Sequence, residues 1–131
     1  MAVKLVKHLM VANVVCISPF STLREALSLM KKHTIKCLVV DRQTPHDAYG
    51  LITYTNILKT IIAEEGDIDL INVYDVCIKP ALAVSQEMAV KYAADLMIQH
   101  HLKRLLVTSD NQLVGLLTVD DMVKDILLLI D

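Results

Sequence analysis

The sequence predicts a mixed α/β fold, α+β in layout, in which two β-α-β-β-α repeats are related by a pseudo-two-fold and share one core. Three observations predict it. Short apolar runs bounded by turn residues alternate with longer stretches of helical spacing. The order of those stretches in the first half returns in the second. One corner also occurs twice, as Gly50-Leu51-Ile52-Thr53-Tyr54-Thr55-Asn56 and as Gly115-Leu116-Leu117-Thr118-Val119-Asp120-Asp121.

The elements follow in order. Val3 to Met10 places Val3, Leu5, Val6, Leu9 and Met10 among lysines, a short amphipathic helix. Val14-Val15-Cys16-Ile17 is a strand closed by Ser18-Pro19. Thr22-Leu23-Arg24-Glu25 has capping-box form and opens a helix that buries Leu23, Ala26, Leu27 and Met30. It ends near Lys31-Lys32-His33, where positive charge suits the helix dipole. Cys37-Leu38-Val39-Val40 is the next strand, Arg42 to Ala48 a hairpin loop, and Tyr49 to Ile52 the returning strand. Tyr54 to Ala63 is a second helix, followed by an acidic connector, Glu64-Glu65-Gly66-Asp67. Late in the chain, Leu113 to Leu117 is an apolar strand. Val119 to Ile130 is a helix with Met122, Val123, Ile126, Leu127 and Ile130 at helical spacing.

The second half falls on the first. Ser85 matches Ser18, Ala93 matches Ala26, Leu96-Met97 match Leu29-Met30, and His100 matches His33. Lys103 matches Lys36, Leu105 matches Leu38 and Val107 matches Val40. The period is about 67 residues up to the hairpin and about 65 after it, the shift being absorbed by a shorter loop at Asp110-Asn111. The division by repeat is therefore 1–65 and 66–131. A unit of that size does not easily bury its own sheet face. Two copies packed face to face would bury it and leave a cleft, where ligand sites commonly lie.

Composition narrows the function classes. Of 131 residues 54% are hydrophobic, and the net charge is −2. That balance exerts no whole-protein pull toward nucleic acid or an anionic membrane. The surplus of aliphatic residues suits an interface. The chain has no apolar run long enough for a spanning helix, and Met1-Ala2-Val3-Lys4-Leu5 lacks the pattern of a signal peptide. Cys16, Cys37 and Cys77 are odd in number and lie among aliphatic residues, as buried thiols of a reducing cytoplasm would.

Chemistry concentrates at the repeated corner. Free N–H groups and side chains at a strand-to-helix junction can meet a polar ligand. They serve equally well as caps: Thr118 is a good N-cap residue, and Asp120 and Asp121 suit a first helical turn. The two roles are compatible. His100-His101 is a poor metal pair, because adjacent helical residues face different ways. Met30, Met88, Met97 and Met122 are core or cleft filler. No Ser-His-Asp, Cys-His or paired-carboxylate arrangement and no Gly-rich phosphate loop stands out, so neither an enzyme nor a resident cofactor is expected.

The repeat resembles a tandem pair of cystathionine-β-synthase (CBS) domains, the Bateman module. The residues that carry the resemblance are Val14-Val15-Cys16-Ile17-Ser18-Pro19, the helix with Leu23, Ala26 and Met30, Ile35-Lys36-Cys37-Leu38-Val39-Val40-Asp41, and Leu102-Lys103-Arg104-Leu105-Leu106-Val107. The corners read Gly-x-x-Thr-x-x-Asn and Gly-x-x-Thr-x-x-Asp. The resemblance spans nearly the whole chain and implies a stand-alone regulatory, energy-sensing module. Its ligand would be AMP, ADP, ATP or S-adenosylmethionine, bound in the cleft. It implies that Asp121, with Asp120 beside it, holds the ribose hydroxyls, and that Thr118 meets a phosphate oxygen. Lys103 and Arg104 would supply positive charge, and the base would slot against Val14 and Val15. The mirrored site would use Asn56, Thr53, Lys36, Ala81 and Leu82, weakened because Asn replaces the carboxylate. The competing function is a structural, partner-docking module with a degenerate cleft. A homodimer is expected through the helices at Tyr54–Ala63 and Val119–Ile130, with docking on a separate enzyme or transporter as the other use of that surface.

Overall fold

Thr22 opens the first long helix by accepting the Glu25 N–H on its hydroxyl at 3.2 Å. That helix and its counterpart each cover one three-stranded sheet, and the computed structural model describes them within residues 4 to 130. The chain divides into a central unit, Val15–Ala81, and a terminal unit made of Met1–Val14 with Leu82–Asp131.

The central unit holds β1 (Cys16–Ile17), α2 (Leu23–His33), β2 (Cys37–Val40), β3 (Gly50–Thr53), α3 (Tyr54–Leu58) and α4 (Val73–Val76). The label α1 belongs to Val6–Leu9 of the terminal unit. β1 runs parallel to β2 with Cys16 opposite Val39, and β2 runs antiparallel to β3 with Leu38 opposite Ile52. α2 buries Leu23, Ala26 and Met30 against Leu38, Val40 and Ile52. Each of the Leu, Ile, Val and Met side chains among them contributes about 1.5–3 kcal/mol of transfer free energy. The helix stops at Thr34, which takes a left-handed conformation at φ 54° and returns its N–H to the carbonyls of Lys31 and Met30.

The terminal unit repeats the plan with α1, β4 (Ala83–Ser85), α5 (Val90–Gln99), β5 (Arg104–Ser109), β6 (Gln112–Thr118) and α6 (Val119–Leu127). β4 is parallel to β5, and β5 is antiparallel to β6. Asp110 and Asn111 both take positive φ (50° and 62°), which suits a tight two-residue hairpin turn. α5 places Ala93 and Met97 against Leu105, Val107 and Leu117.

Several elements differ from the sequence reading. The helix read over Tyr54 to Ala63 is α only to Leu58; Lys59–Ala63 is a wider π turn, with the Glu64 N–H bonded to the Lys59 carbonyl at 3.1 Å. α1 covers four residues rather than Val3 to Met10, and Val3 lies outside the described residues. β1 is two residues long, although the Val15 carbonyl still accepts the Val39 N–H at 3.0 Å. α6 ends at Leu127, short of Ile130. Among the described residues, each unit carries its own cluster of buried hydrophobic side chains.

α4 was not read from the sequence, and it explains how the units are closed. Val73 donates its N–H to Ser21 O at 2.8 Å, Tyr74 to Pro19 O at 2.9 Å and Ile78 to Leu51 O at 2.8 Å. The equivalent bonds of the terminal unit come from the start of the chain: Val6 to Met88 O at 2.8 Å, Lys7 to Gln86 O at 3.0 Å and Val11 to Leu116 O at 2.9 Å. Val6 and Val73 are both fully buried. Each unit is thus fastened by a clasp, a turn of helix and a bridge strand, that belongs by sequence to the other repeat. Glycine makes room for it. A Cβ on Gly115 would stand 2.9 Å from Val11 O, and one on Gly50 would stand 3.2 Å from Ile78 O.

Candidate functional site

β6 hands over to α6 at Thr118, and the side chains there form a reciprocal cap. The Thr118 N–H and hydroxyl both donate to Asp121 Oδ2, each at 2.9 Å, and Thr118 Oγ1 accepts the Asp121 N–H at 3.1 Å. The motif satisfies helix-end donors that would otherwise be orphaned. The same box closes α3: the Thr53 N–H and hydroxyl donate to Asn56 Oδ1, each at 3.0 Å, and Thr53 Oγ1 accepts the Asn56 N–H at 3.3 Å.

The two boxes are equal for the backbone and unequal for a ligand. A carboxylate has two acceptor oxygens, and an amide has one oxygen and an NH2 donor. Asp121 commits Oδ2 to the cap, and its Oδ1 carries no hydrogen bond among the described residues. Asn56 spends its only oxygen on the cap. Asp121 is half-buried and lines a groove of about 430 Å³ with Lys4, His8, Leu9, Lys124, Asp125 and Leu128. Within that groove Lys4 is paired with Asp125 at 2.5 Å.

The other sequence candidates fall as follows. In the terminal unit Arg104 pairs with Thr118 across β5 and β6, the Lys103 carbonyl accepts the Val119 N–H at 3.0 Å, and the Leu82 carbonyl accepts the Leu106 N–H at 3.0 Å. Lys103, Leu82 and Asp120 are exposed, and Arg104 and Val14 are half-buried. Lys103 and Arg104 make no ion pair among the described residues. The Thr118 hydroxyl proton is engaged by Asp121, so a phosphate would have to compete for it. In the central unit the carbonyl of exposed Lys36 accepts the Tyr54 N–H at 3.1 Å, and Ala81 donates to Tyr49 O at 2.9 Å. Thr53 is buried, and Val15 and Ala81 are half-buried.

Sequence reasoning missed Lys4, His8, Lys124 and Asp125 as neighbours of Asp121. Lys124 and Asp125, one turn on in the same helix, were visible from spacing; Lys4 and His8 were not. The thiols also differ from expectation. None is in a disulfide, but Cys16 is exposed rather than buried. Partial burial, then the Asp41 carboxylate, push the Cys16 thiol above its ordinary pKa, and burial does the same to Cys77. Such thiols are poor nucleophiles. Among the described residues, no group of three His, Cys, Asp or Glu side chains could hold a metal ion, and no helix is long and apolar enough to cross a membrane.

The family model for the CBS domain matches residues 6–63 and 73–128. The CBS domain-containing protein YhcV of Bacillus subtilis is 31% identical over 117 residues, 89% of this chain and 81% of its own length. Among solved structures, the hexameric CBS-CP12 protein from bloom-forming cyanobacteria is similar with a TM-score of 0.87 and 31% identity, over 92% of this chain and 70% of that one. The CBS domain pair of protein MJ0100, solved in complex with 5′-methylthioadenosine and S-adenosyl-L-methionine, is similar with a TM-score of 0.82 at 19% identity, over 95% of this chain and 97% of that one.

Proposed function

The chain belongs to the CBS domain family, and from that premise we propose that it is a non-catalytic regulatory module that binds an adenine nucleotide or adenosyl ligand. One observation carries the reading: the second oxygen of Asp121, a half-buried residue lining a groove, takes no hydrogen bond from the described residues. A bare carboxylate oxygen on a rigid helix start can accept from the hydroxyls of a ribose, a charge-assisted contact. Asn56 keeps only a donor, which supports occupancy at Asp121 in preference to the first corner. The adenosyl ligands of the MJ0100 pair support the same class of ligand. The ligand acts as a regulatory signal passed to a partner, not as a cofactor.

The module works as a homodimer. Val123, Ile126, Leu127 and Leu128 on and just after α6 are 42–81% exposed, and Leu58 and Ile62 are 60% and 68% exposed. Exposed apolar side chains of this kind, clustered within each helix, mark an interface. The hexameric state of the CBS-CP12 relative supports self-association.

Isothermal titration of the whole chain with AMP, ADP, ATP and S-adenosylmethionine tests the binding. Saturable heat with at least one of them is expected. No heat with any of the four would leave the module a structural, partner-docking one and would overturn the reading.

A further inference from the structure

The two clasps are capped by different chemistry at the same point of the repeat. In the central unit the Asn72 N–H, at the start of α4, donates to Asp75 Oδ2 at 3.2 Å. In the terminal unit the Leu5 N–H, at the start of α1, donates to His8 Nδ1 at 3.1 Å. His8 falls on Asp75 when the repeats are aligned, just as Val6 falls on Val73. A ring nitrogen accepts a hydrogen bond only while it is unprotonated; the imidazolium donates from both nitrogens. Carboxylates titrate near pH 4 in general and histidines near 6.5.

From this pair we infer that His8 makes the terminal clasp a proton-sensitive fastener, while Asp75 leaves the central clasp indifferent to pH over the same range. The sign follows from the geometry. Protonation of Nδ1 and the cap exclude one another, so release of the clasp takes up a proton and is favoured as pH falls. The charged groups around His8 are Lys4 and Lys7 on its own segment, Asp121, Lys124 and Asp125 on α6, and Glu87 ahead of α5. Lys4 is neutralised by Asp125 and Lys7 by Glu87. Once protonated, the ring also loses the Leu5 N–H as a partner and turns a donor toward it. The fastener holds Val6, which is fully buried in the terminal core.

Amide hydrogen exchange of the whole chain, followed by NMR between pH 8 and pH 5.5, tests the inference. Corrected for intrinsic rates, opening at the Val6, Lys7 and Val11 amides should rise roughly five-fold as the pH falls, the equivalent of one lost cap. Val73, Tyr74 and Ile78 should not change. His8→Asp, which copies the central unit, should abolish the step while keeping the protection. Asp75→His should install a step at Val73 and Tyr74. An equal step in His8→Asp, or no step in the wild type, would overturn the inference. His33, His46, His100 and His101 are untouched in these variants, so a step that arises from them survives His8→Asp and is told apart.

Discussion

Replacing Asp121 by asparagine separates its two roles. Alanine would not, because it would also strip the Thr118 N–H and hydroxyl of their acceptor at 2.9 Å. Losing a helix-start cap costs about 1 kcal/mol of stability. Asn56 demonstrates that an amide closes the same box, with both bonds at 3.0 Å. Asp121→Asn should therefore melt within about 0.5 kcal/mol of the wild type, the range of a substitution that breaks no buried contact. Its amide oxygen goes to Thr118, and an NH2 donor stands where the bare carboxylate oxygen was. A hydrogen bond to a charged group contributes about 1.5–3 kcal/mol, so affinity for an adenosyl ligand should fall roughly 10- to 100-fold. Calorimetric titration reads the affinity, and a thermal melt confirms the fold. Wild-type affinity in a stably folded Asp121→Asn protein would remove the carboxylate from ligand recognition. Asn56→Asp is the converse and should add or tighten a second binding event.

Other outcomes follow from the same geometry. Gly115→Ala drives a methyl to 2.9 Å from Val11 O and should cost about 1–3 kcal/mol in a urea melt, more than Gly50→Ala, whose contacts begin at 3.2 Å. A fragment 15–81 keeps the whole central cluster, whereas 1–65 loses Ile68, Ile71, Val73 and Val76 from it; the first should unfold cooperatively by circular dichroism, and a more stable 1–65 would contradict the clasp. Asp47 and Asp69 are held below the usual carboxylate range by hydrogen bonds from Lys79 and Arg24. Their stabilisation is complete above about pH 4 and lost as pH falls through the lowered values, so Asp69→Asn should flatten the acid limb of a melting-temperature profile. Leu128 is 81% exposed; Leu128→Glu should convert the proposed homodimer to monomer in sedimentation, and a wild-type monomer at tens of micromolar would refute self-association.

What was legible in the sequence was whatever repeats or has a period. The apolar face of α2, the hairpin strands and the two Gly-x-x-Thr corners all declare themselves by spacing and recurrence. α4 does not, because four residues carry no helical period. Its signal lay in the repeat itself: Asn72-Val73 stands to the first half as Leu5-Val6 stands to the second, and extending the alignment before Val14 would have found it. Asp121 was legible as a candidate, but for a different reason. The sequence suggests a contrast of charge with Asn56, whereas the structure places the contrast in how many acceptor oxygens remain after capping. The groove partners Lys4 and Asp125 lie at opposite ends of the chain, where no local pattern can join them.

The divergence between the two clasps has a direction. Three backbone hydrogen bonds match in position: those of Val73, Tyr74 and Ile78 with those of Val6, Lys7 and Val11. The side chains do not all match. Where the central clasp sets Tyr74 edge-on against Phe20, with centroids 6.0 Å apart and planes at 70°, the terminal clasp pairs Lys7 with Glu87 at 3.0 Å. Aromatic pairs contribute about 0.5–1.5 kcal/mol beyond area burial. An ion pair as exposed as Lys7–Glu87 contributes at most about 1 kcal/mol, and less in salt. Arg24 adds a two-pronged bond to Asp69 beside the central clasp. At the terminal clasp the second ion pair is the one-pronged contact of Lys4 with Asp125. The weaker fastening therefore lies on the unit that carries Asp121, and its residues Lys4 and His8 line the same groove as that carboxylate. A ligand seated on Asp121 would contact a segment that the fold holds loosely. Protection of the Val6 and Val11 amides should then rise on ligand addition while that of Val73 stays level; equal protection of both clasps would place the response elsewhere.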